Sequence, residues 1–281
     1  MKVWWNGEIV DQEDALVSVF DRGFLYGDAC FETLRVYDGK PAFWDKHATR
    51  LSQSLAALSI PRRSSSAELR DAATALVASG DLQNAVLRIQ ITRGRGVRGY
   101  STQGCDDPTE MISLHPLPAR AQGERPAWRL KTSSLRIDPG SPLHGHKSSN
   151  KLFQILATQE AEQAGRDDVL LLTSDGHVAE TSCANVFWFD GATVCTPPLS
   201  AGVLPGVTRS VVIDLCRALG WECEERLIDK RVLLEQRGVF LTQSVCEIIV
   251  VSELDGHQLN LAEEIDKLAS AYRSLAKASE T

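Results

Sequence analysis

Four groups of residues in this chain have types and spacings that suit chemistry. The first is Lys147, in Leu143-His-Gly-His-Lys-Ser-Ser-Asn-Lys151. A loop lysine is most often a solvated charge. Partial burial lowers an amine's pKa, however, and a loop lets it swing, and a Schiff-base lysine needs both. Ser149 or Asn150 is placed to cap the helix that follows. The second group is Glu180, in His177-Val-Ala-Glu-Thr-Ser-Cys-Ala-Asn-Val-Phe187, a carboxylate among strand-forming residues. It either faces water from an edge strand or is buried and needs a partner. A pyridine nitrogen would serve, kept protonated as an electron sink.

The third group is Gly202-Val-Leu-Pro-Gly-Val-Thr-Arg209, a glycine-bearing loop that opens a helix. Many helices begin this way for structural reasons alone. Free N–H groups, the helix dipole and the Thr208 hydroxyl would also make a phosphate site. Thr242 and Ser244, at the end of a hydrophobic strand, either add hydroxyls to the same phosphate or cap the strand. The fourth is an arginine set: Arg50 on a helix, then Arg93, Arg95 and Arg98 in the loop Arg93-Gly-Arg-Gly-Val-Arg-Gly-Tyr100. Most exposed arginines meet only water, but guanidinium forks match phosphate and carboxylate, and the glycines let the backbone approach a ligand. A competing reading takes His144 and His146, with Asp175 and His177 nearby, as ligands of a metal-dependent hydrolase. Among six histidines there is no HExxH, no paired CxxC accompanies them, and no GxSxG is present, so this ranks low.

The elements that must hold these residues follow from periodicity. Lys2 to Val10 reads as a strand turned at Asn6-Gly7, and Cys30 to Tyr37 as a strand turned back at Asp38-Gly39-Lys40. Leu51, Leu55 and Leu58 recur at helical spacing from Asp45 until Pro61, and a second helix fits Ala67 to Ala78. Strands follow at Asn84 to Thr92 and Glu110 to Leu117. The polar, proline-flanked stretch Pro118 to Pro126 predicts a boundary, with domains at 1–118 and 127–281 joined by a linker at 119–126. Beyond it, Trp128 to Arg136 reads as a strand, Leu152 to Ala164 as a helix and Asp168 to Phe189 as two strands. A hairpin is expected at Asp190-Gly191, a helix at Gly206 to Leu219, a strand or strand pair at Val239 to Ser252 and a helical tail from Ala262.

Composition narrows the functional class. The chain has 281 residues, 43% apolar and 24% charged, with a net charge of -7. That suits one or two globular cores and excludes collagen-like, coiled-coil and disordered chains. No basic block could release phosphate counterions, so a small soluble ligand is expected rather than nucleic acid. The N-terminal apolar stretch is too short for a signal peptide, and later runs such as Glu247-Ile-Ile-Val-Val-Ser252 are strand-sized, which predicts no membrane association and a cytoplasmic protein. Seven scattered cysteines without a CxxC pair suit reduced thiols.

In order along the chain, the pieces resemble the fold type IV pyridoxal-phosphate enzymes, the class IV aminotransferase family. The resemblance runs through Asp21-Arg-Gly-Phe-Leu-Tyr-Gly-Asp28 with Phe31-Glu-Thr-Leu-Arg35, His47-x-x-Arg50-Leu51, and His146-Lys-Ser-Ser-Asn-Lys-Leu152. It continues through Glu180-x-x-x-x-Asn185-Val-Phe187, Gly202 to Arg209, and Thr242-Gln-Ser-Val-Cys-Glu-Ile248. It implies an α/β (α+β) chain with a smaller N-terminal α/β domain and a larger C-terminal pseudo-barrel domain. It also implies pyridoxal 5'-phosphate as cofactor, an amino substrate, and a homodimer with the site between the domains near the partner subunit. Carried over by position, Lys147 resembles the lysine of the internal aldimine and Glu180 the partner of the pyridine nitrogen. Arg50, Val207, Thr208 and Ser244 would hold the phosphate, and Arg98 and Tyr100 the substrate carboxylate. The stretch Ile91 to Ser101 is most similar to aminodeoxychorismate lyases, several of which carry an RGxGxRGYS run. That implies release of p-aminobenzoate and pyruvate in folate biosynthesis. The alternative is an aminotransferase of D-amino-acid or branched-chain type. D-amino-acid enzymes have a histidine in place of Tyr100 and a tyrosine in place of Phe31, and branched-chain enzymes lack the arginine-rich loop.

Overall fold

The computed structural model describes residues 1–80, 82–122 and 127–279. Two compact units are present. The first comprises Met1–Pro118, His146–Lys151 and the chain end from Ala276; the second comprises Ala119–Gly145 and Leu152–Leu275.

In the first unit, β1 (Lys2–Trp5) and β2 (Glu8–Asp11) form a hairpin around Asn6-Gly7. A short helix, α1 (Arg22–Tyr26), precedes β3 (Ala29–Tyr37) and β4 (Lys40–Pro41). Helices α2 (Trp44–Ala57) and α3 (Ser66–Ala78) follow, then β5 (Ala85–Thr92) and β6 (Thr109–Pro116). The six strands form an antiparallel sheet in the order β2-β1-β6-β5-β3-β4. Period-two alternation sorts its residues. Cys30, Leu34 and Val36 of β3 and Leu87, Ile89 and Ile91 of β5 enter one core with Leu51 and Leu55 of α2 and Leu69, Ala73 and Leu76 of α3. Phe31 of β3 and Arg88 of β5 therefore belong to the opposite face. Helix α3 starts with a capping box, Ser65 and Glu68 each bonding the other's backbone N–H. Helix α1 was not legible as a helix. Asp21 caps its start, and Gly27 ends it in the left-handed conformation that glycine adopts without steric cost.

In the second unit come β7 (Ala127–Ile137), α4 (Leu152–Gln163), β8 (Asp168–Thr173), β9 (Val178–Thr181), β10 (Asn185–Asp190) and β11 (Thr193–Thr196). After them come α5 (Val207–Ala218), β12 (Cys223–Glu225), α6 (Lys230–Glu235), β13 (Arg237–Gln243), β14 (Glu247–Leu254), β15 (His257–Gln258) and α7 (Glu264–Ala278), the last running on into the chain end. Strands β10-β13-β14-β7-β8-β9 pair in turn, and β9 pairs back to β10 at Asn185↔Glu180. The sheet thus closes into the barrel the sequence led us to expect. Both faces of β8 are covered: Leu170 and Leu172 enter a core with Trp128, Val186 and Leu241, while Val169 and Leu171 pack with Ala157 and Ala161 of α4.

One expectation needs correction, and one left open is decided. Asp168 to Phe189 forms three strands rather than two. The Thr181 hydroxyl accepts from the N–H groups of Cys183 (3.3 Å) and Ala184 (2.9 Å), folding the chain into a turn between β9 and β10. Val239 to Ser252 lies in a strand pair, β13 and β14, broken at Ser244 to Cys246. Of the expected linker, Ala119–Ala121 is a single 3-10 turn, and residues 123–126 lie outside the described residues. All seven cysteines are free thiols. No helix among the described residues is long and apolar enough to cross a membrane.

Candidate active site

Lys147 belongs to the first unit. Its segment is not a free loop: Phe31 N–H donates to Lys147 O (3.0 Å), Ser149 N–H donates to Ala29 O (2.8 Å), and Ser148 bridges to Cys30. The backbone is pinned alongside the start of β3, so only the side chain is left to swing. Ser149 does not cap α4, because its buried hydroxyl has no hydrogen-bond partner among the described residues. Lys147 is partly buried, with Nζ 4.6 Å from the centroid of the Phe31 ring. Burial, with Arg50, Lys151 and Arg88 nearby and Glu32 opposing, pushes its pKa down to about 8.

Glu32 faces α2 and is fully buried. Arg50 donates to both of its oxygens, Nε to Oε1 at 2.8 Å and Nη2 to Oε2 at 2.7 Å, and His47 Nδ1 lies 2.7 Å from Oε2. His47 and Arg50 lie three apart on α2, which brings both onto one carboxylate. Burial alone would raise the Glu32 pKa, but Arg50 and His47 hold it at about 2. His47 is itself held below its ordinary value, chiefly by burial and despite Glu32. Arg50 is thus placed near Lys147 but committed to Glu32 on its fork.

The arginine-rich loop separates into roles. Arg93 is buried, bonds both oxygens of Asp28 (2.7 and 3.0 Å) and donates to the carbonyls of Leu58 and Ser59. It is a structural tie. Gly94, at φ +78°, passes so close to Asp107 O that a Cβ would sit 1.8 Å from it. The loop then runs over α1, where Arg22 donates to Gly99 O (2.9 Å), Gly99 N–H to the Tyr26 hydroxyl (3.2 Å), and the Tyr26 and Tyr100 rings meet at 5.8 Å. Arg98 is exposed, and Tyr100 is 88% exposed. Neither contacts Lys147 among the described residues.

In the second unit, Glu180, Asn185 and Thr242 form one row across β9, β10 and β13, since Asn185 pairs in register with both of the others. Glu180 is half-buried; its Oε2 accepts from Leu204 N–H (2.9 Å) and from Asn185 Nδ2 (3.3 Å), which also donates to Leu204 O (2.9 Å). Leu204 is thereby clamped to the row, and Pro205-Gly206 leads from it into α5. A Cβ at Gly206 would lie 2.0 Å from Asn185 Oδ1, so glycine lets the helix start this close to the strand. The α5 N-terminus has no side-chain cap. Val207 and Thr208 in its first turn are buried, and Thr208 Oγ1 lies 3.2 Å from the Tyr272 hydroxyl. Thr242 Oγ1 is buried with no partner among the described residues, and Ser244 sits in the turn beyond β13. Uncapped N–H groups and an unbonded hydroxyl together offer donors to an anion.

Among the described residues no three His, Cys, Asp or Glu side chains gather as a metal site, so His144, His146, Asp175 and His177 do not converge. Arg88 and Lys151 were missed from the sequence as neighbours of Lys147. Only the register of β3 with β5, which sets Arg88 across from Thr33, would have pointed to Arg88.

The family model for amino-transferase class IV matches residues 29–254. A relative from Methanocaldococcus jannaschii, provisionally named a branched-chain-amino-acid aminotransferase, is 35% identical over 98% of this chain and 96% of its own. The aminodeoxychorismate lyase of Bacillus subtilis is 32% identical over 98% of this chain and 93% of its own. The D-alanine aminotransferase of Bacillus licheniformis is 29% identical over 92% and 90%. Among solved structures, the 4-amino-4-deoxychorismate lyase of Pseudomonas aeruginosa superposes with a TM-score of 0.87 at 31% identity over 98% of this chain and 99% of that one. A hypothetical aminotransferase from Mycobacterium tuberculosis in its PLP-bound form superposes at 0.89 with 26% identity over the whole of both chains. Mixed α/β architecture, pinned lysine, oriented carboxylate and family match agree: the chain belongs to the class IV aminotransferases.

Proposed function

We propose that the protein is a pyridoxal-phosphate-dependent aminodeoxychorismate lyase. The observation that carries the reading is the charge around Lys147. Arg50, Arg88 and Lys151 all bear on its amine, and the carboxylate that opposes them, Glu32, is already shared between Arg50 and His47. Such a cationic surplus in a chain of net charge -7 suits a substrate with two carboxylates better than a branched aliphatic one.

The residues fit the cofactor. The uncapped start of α5 and the unbonded Thr242 hydroxyl suit a phosphate, with Val207, Thr208 and Ser244 as further contacts. Glu180, fixed by Leu204 and Asn185, suits a protonated ring nitrogen. When bound, the cofactor supplies a protonated pyridine that accepts electron density from the substrate carbon. Lys147 Nζ, whose pKa burial and the neighbouring cations push down, would take the proton from that carbon. Arg98 and Tyr100, exposed on their loop, are free to meet a substrate carboxylate held by a second copy of the chain. A homodimer is supported by Leu16, Val17, Val19, Phe20, Phe24 and Leu25, which stand exposed in one stretch.

A second reading, an aminotransferase of branched-chain or D-amino-acid type, draws on the 35% identical archaeal relative. The two differ in their need for an acceptor. A lyase turns over repeatedly without a 2-oxo acid, whereas an aminotransferase stops after one equivalent.

A further inference from the structure

Thr208 is buried in the first turn of α5. A helical threonine often turns its hydroxyl proton back to the carbonyl four residues earlier. Here that carbonyl is Leu204 O, which already accepts from Gly206 N–H (2.8 Å) and from Asn185 Nδ2 (2.9 Å). Among the described residues the one hydrogen-bond partner of Thr208 Oγ1 is the Tyr272 hydroxyl, at 3.2 Å. Tyr272 lies with Ile265 and Leu268 on the buried stripe of α7. The next residue, Arg273, bonds the buried Glu247 at the start of β14 through Nε (3.0 Å) and Nη2 (2.9 Å). Helix α7 is thereby held against rotation, and the phenol hydroxyl is fixed beside Thr208. Of two hydroxyls in contact, one donates and the other keeps its proton for a further acceptor. A phenol is the stronger acid and an alcohol oxygen the better acceptor, so Tyr272 donates and the Thr208 proton is left over. A buried donor that meets nothing is costly, and at an uncapped helix start an anion is the acceptor that suits it.

We propose that Tyr272 is a positioning residue for the cofactor phosphate: it donates to Thr208 Oγ1 and so reserves the Thr208 proton for a phosphate oxygen. The inference rests on the placement of Thr208 at that phosphate. It adds a residue from the C-terminal helix, which none of the motifs contained, and one that acts only through Thr208.

The test compares two ligands on the full-length, cofactor-free protein: pyridoxal 5'-phosphate and pyridoxal, which share the ring and aldehyde and differ in the phosphate. Fluorescence titration gives each affinity, and their ratio is the phosphate preference. In Tyr272→Phe, which keeps the ring in its place, that preference is expected to fall about threefold, the loss of one cooperative link to a charged acceptor, while pyridoxal binding stays unchanged. In a Thr208→Val background the same replacement should change nothing further, whereas in Thr208→Ser, which keeps the hydroxyl, it should again cost about threefold. Equal weakening of both ligands would mean that Tyr272 only packs α7, and overturns the proposal. An unchanged preference overturns it too. So does a preference that rises, because Thr208 would then have been donating to Tyr272 and would gain a free proton when the phenol hydroxyl is removed. A wild type without any phosphate preference would take Thr208 away from the phosphate and the relay with it. No amino substrate is present, so failure of the lyase reading registers elsewhere, as a wild type that forms no p-aminobenzoate.

Discussion

Lys147 and Glu32 are opposite responses to similar surroundings. Burial penalises the charge of each, but Glu32 is compensated by two partners while Lys147 meets mostly cations. In cofactor-free protein an amine-directed reagent should therefore modify Lys147 with a midpoint near pH 8, below the ordinary 10.5, as read by mass spectrometry of the peptide. A midpoint at the ordinary value would mean the surroundings do not act on it. Glu32→Gln removes the charge that Arg50 and His47 share and turns a donor toward them; a broken buried pair should lower unfolding stability by about 3–5 kcal/mol in urea titrations. The pH dependence has a definite sign. His47 is held below its ordinary 6.5, so the unfolded chain takes up that proton first and stability declines as the pH falls below about 6.5. Glu32, held at about 2 against 4.5, adds a further loss as the pH falls from about 4.5 toward 2. His47→Gln should remove the first stage, measured as proton uptake on unfolding near pH 6.

At the scale of elements, the phosphate donors are held by β13 and by the junction of β10 with α5. Thr242→Val removes a hydroxyl that bonds nothing among the described residues, so thermal stability should be unchanged or slightly raised while cofactor affinity falls about tenfold in fluorescence titrations. A large drop in melting temperature would show that the hydroxyl has a structural partner instead. Gly206→Ala should weaken both, because the added Cβ collides with Asn185 and loosens the clamp on Glu180. Most of these elements were legible. Alternation marked β5 and β8, the leucine spacing marked α2, and Asn6-Gly7 marked the first turn. The break after Thr181 was not, because a side-chain hydroxyl turns the backbone inside a run of strand formers. Helix α1 was missed because five residues are too few to show a helical period.

For the whole molecule, the motifs were readable because each keeps its order, but proximity was not. Nothing in the spacing of Glu32, His47 and Arg50 from Lys147 shows that they surround it; pairing of residues 147–149 with β3 brings them together. Likewise Glu180 and Thr242 become neighbours of Asn185 only when the barrel closes. Replacing Phe20 and Phe24 with serine should shift the protein toward a monomer in light scattering and cut activity in proportion if a second copy completes the site; full activity as a monomer would remove the partner from the account. The most direct measurement follows p-aminobenzoate fluorescence after the cofactor-loaded protein is mixed with aminodeoxychorismate and no 2-oxo acid. Many turnovers per subunit, lost in Lys147→Ala together with the cofactor's visible absorbance, are expected. A wild type that keeps its absorbance but forms no p-aminobenzoate, and then transfers its amino group once a 2-oxo acid is added, would contradict the lyase assignment.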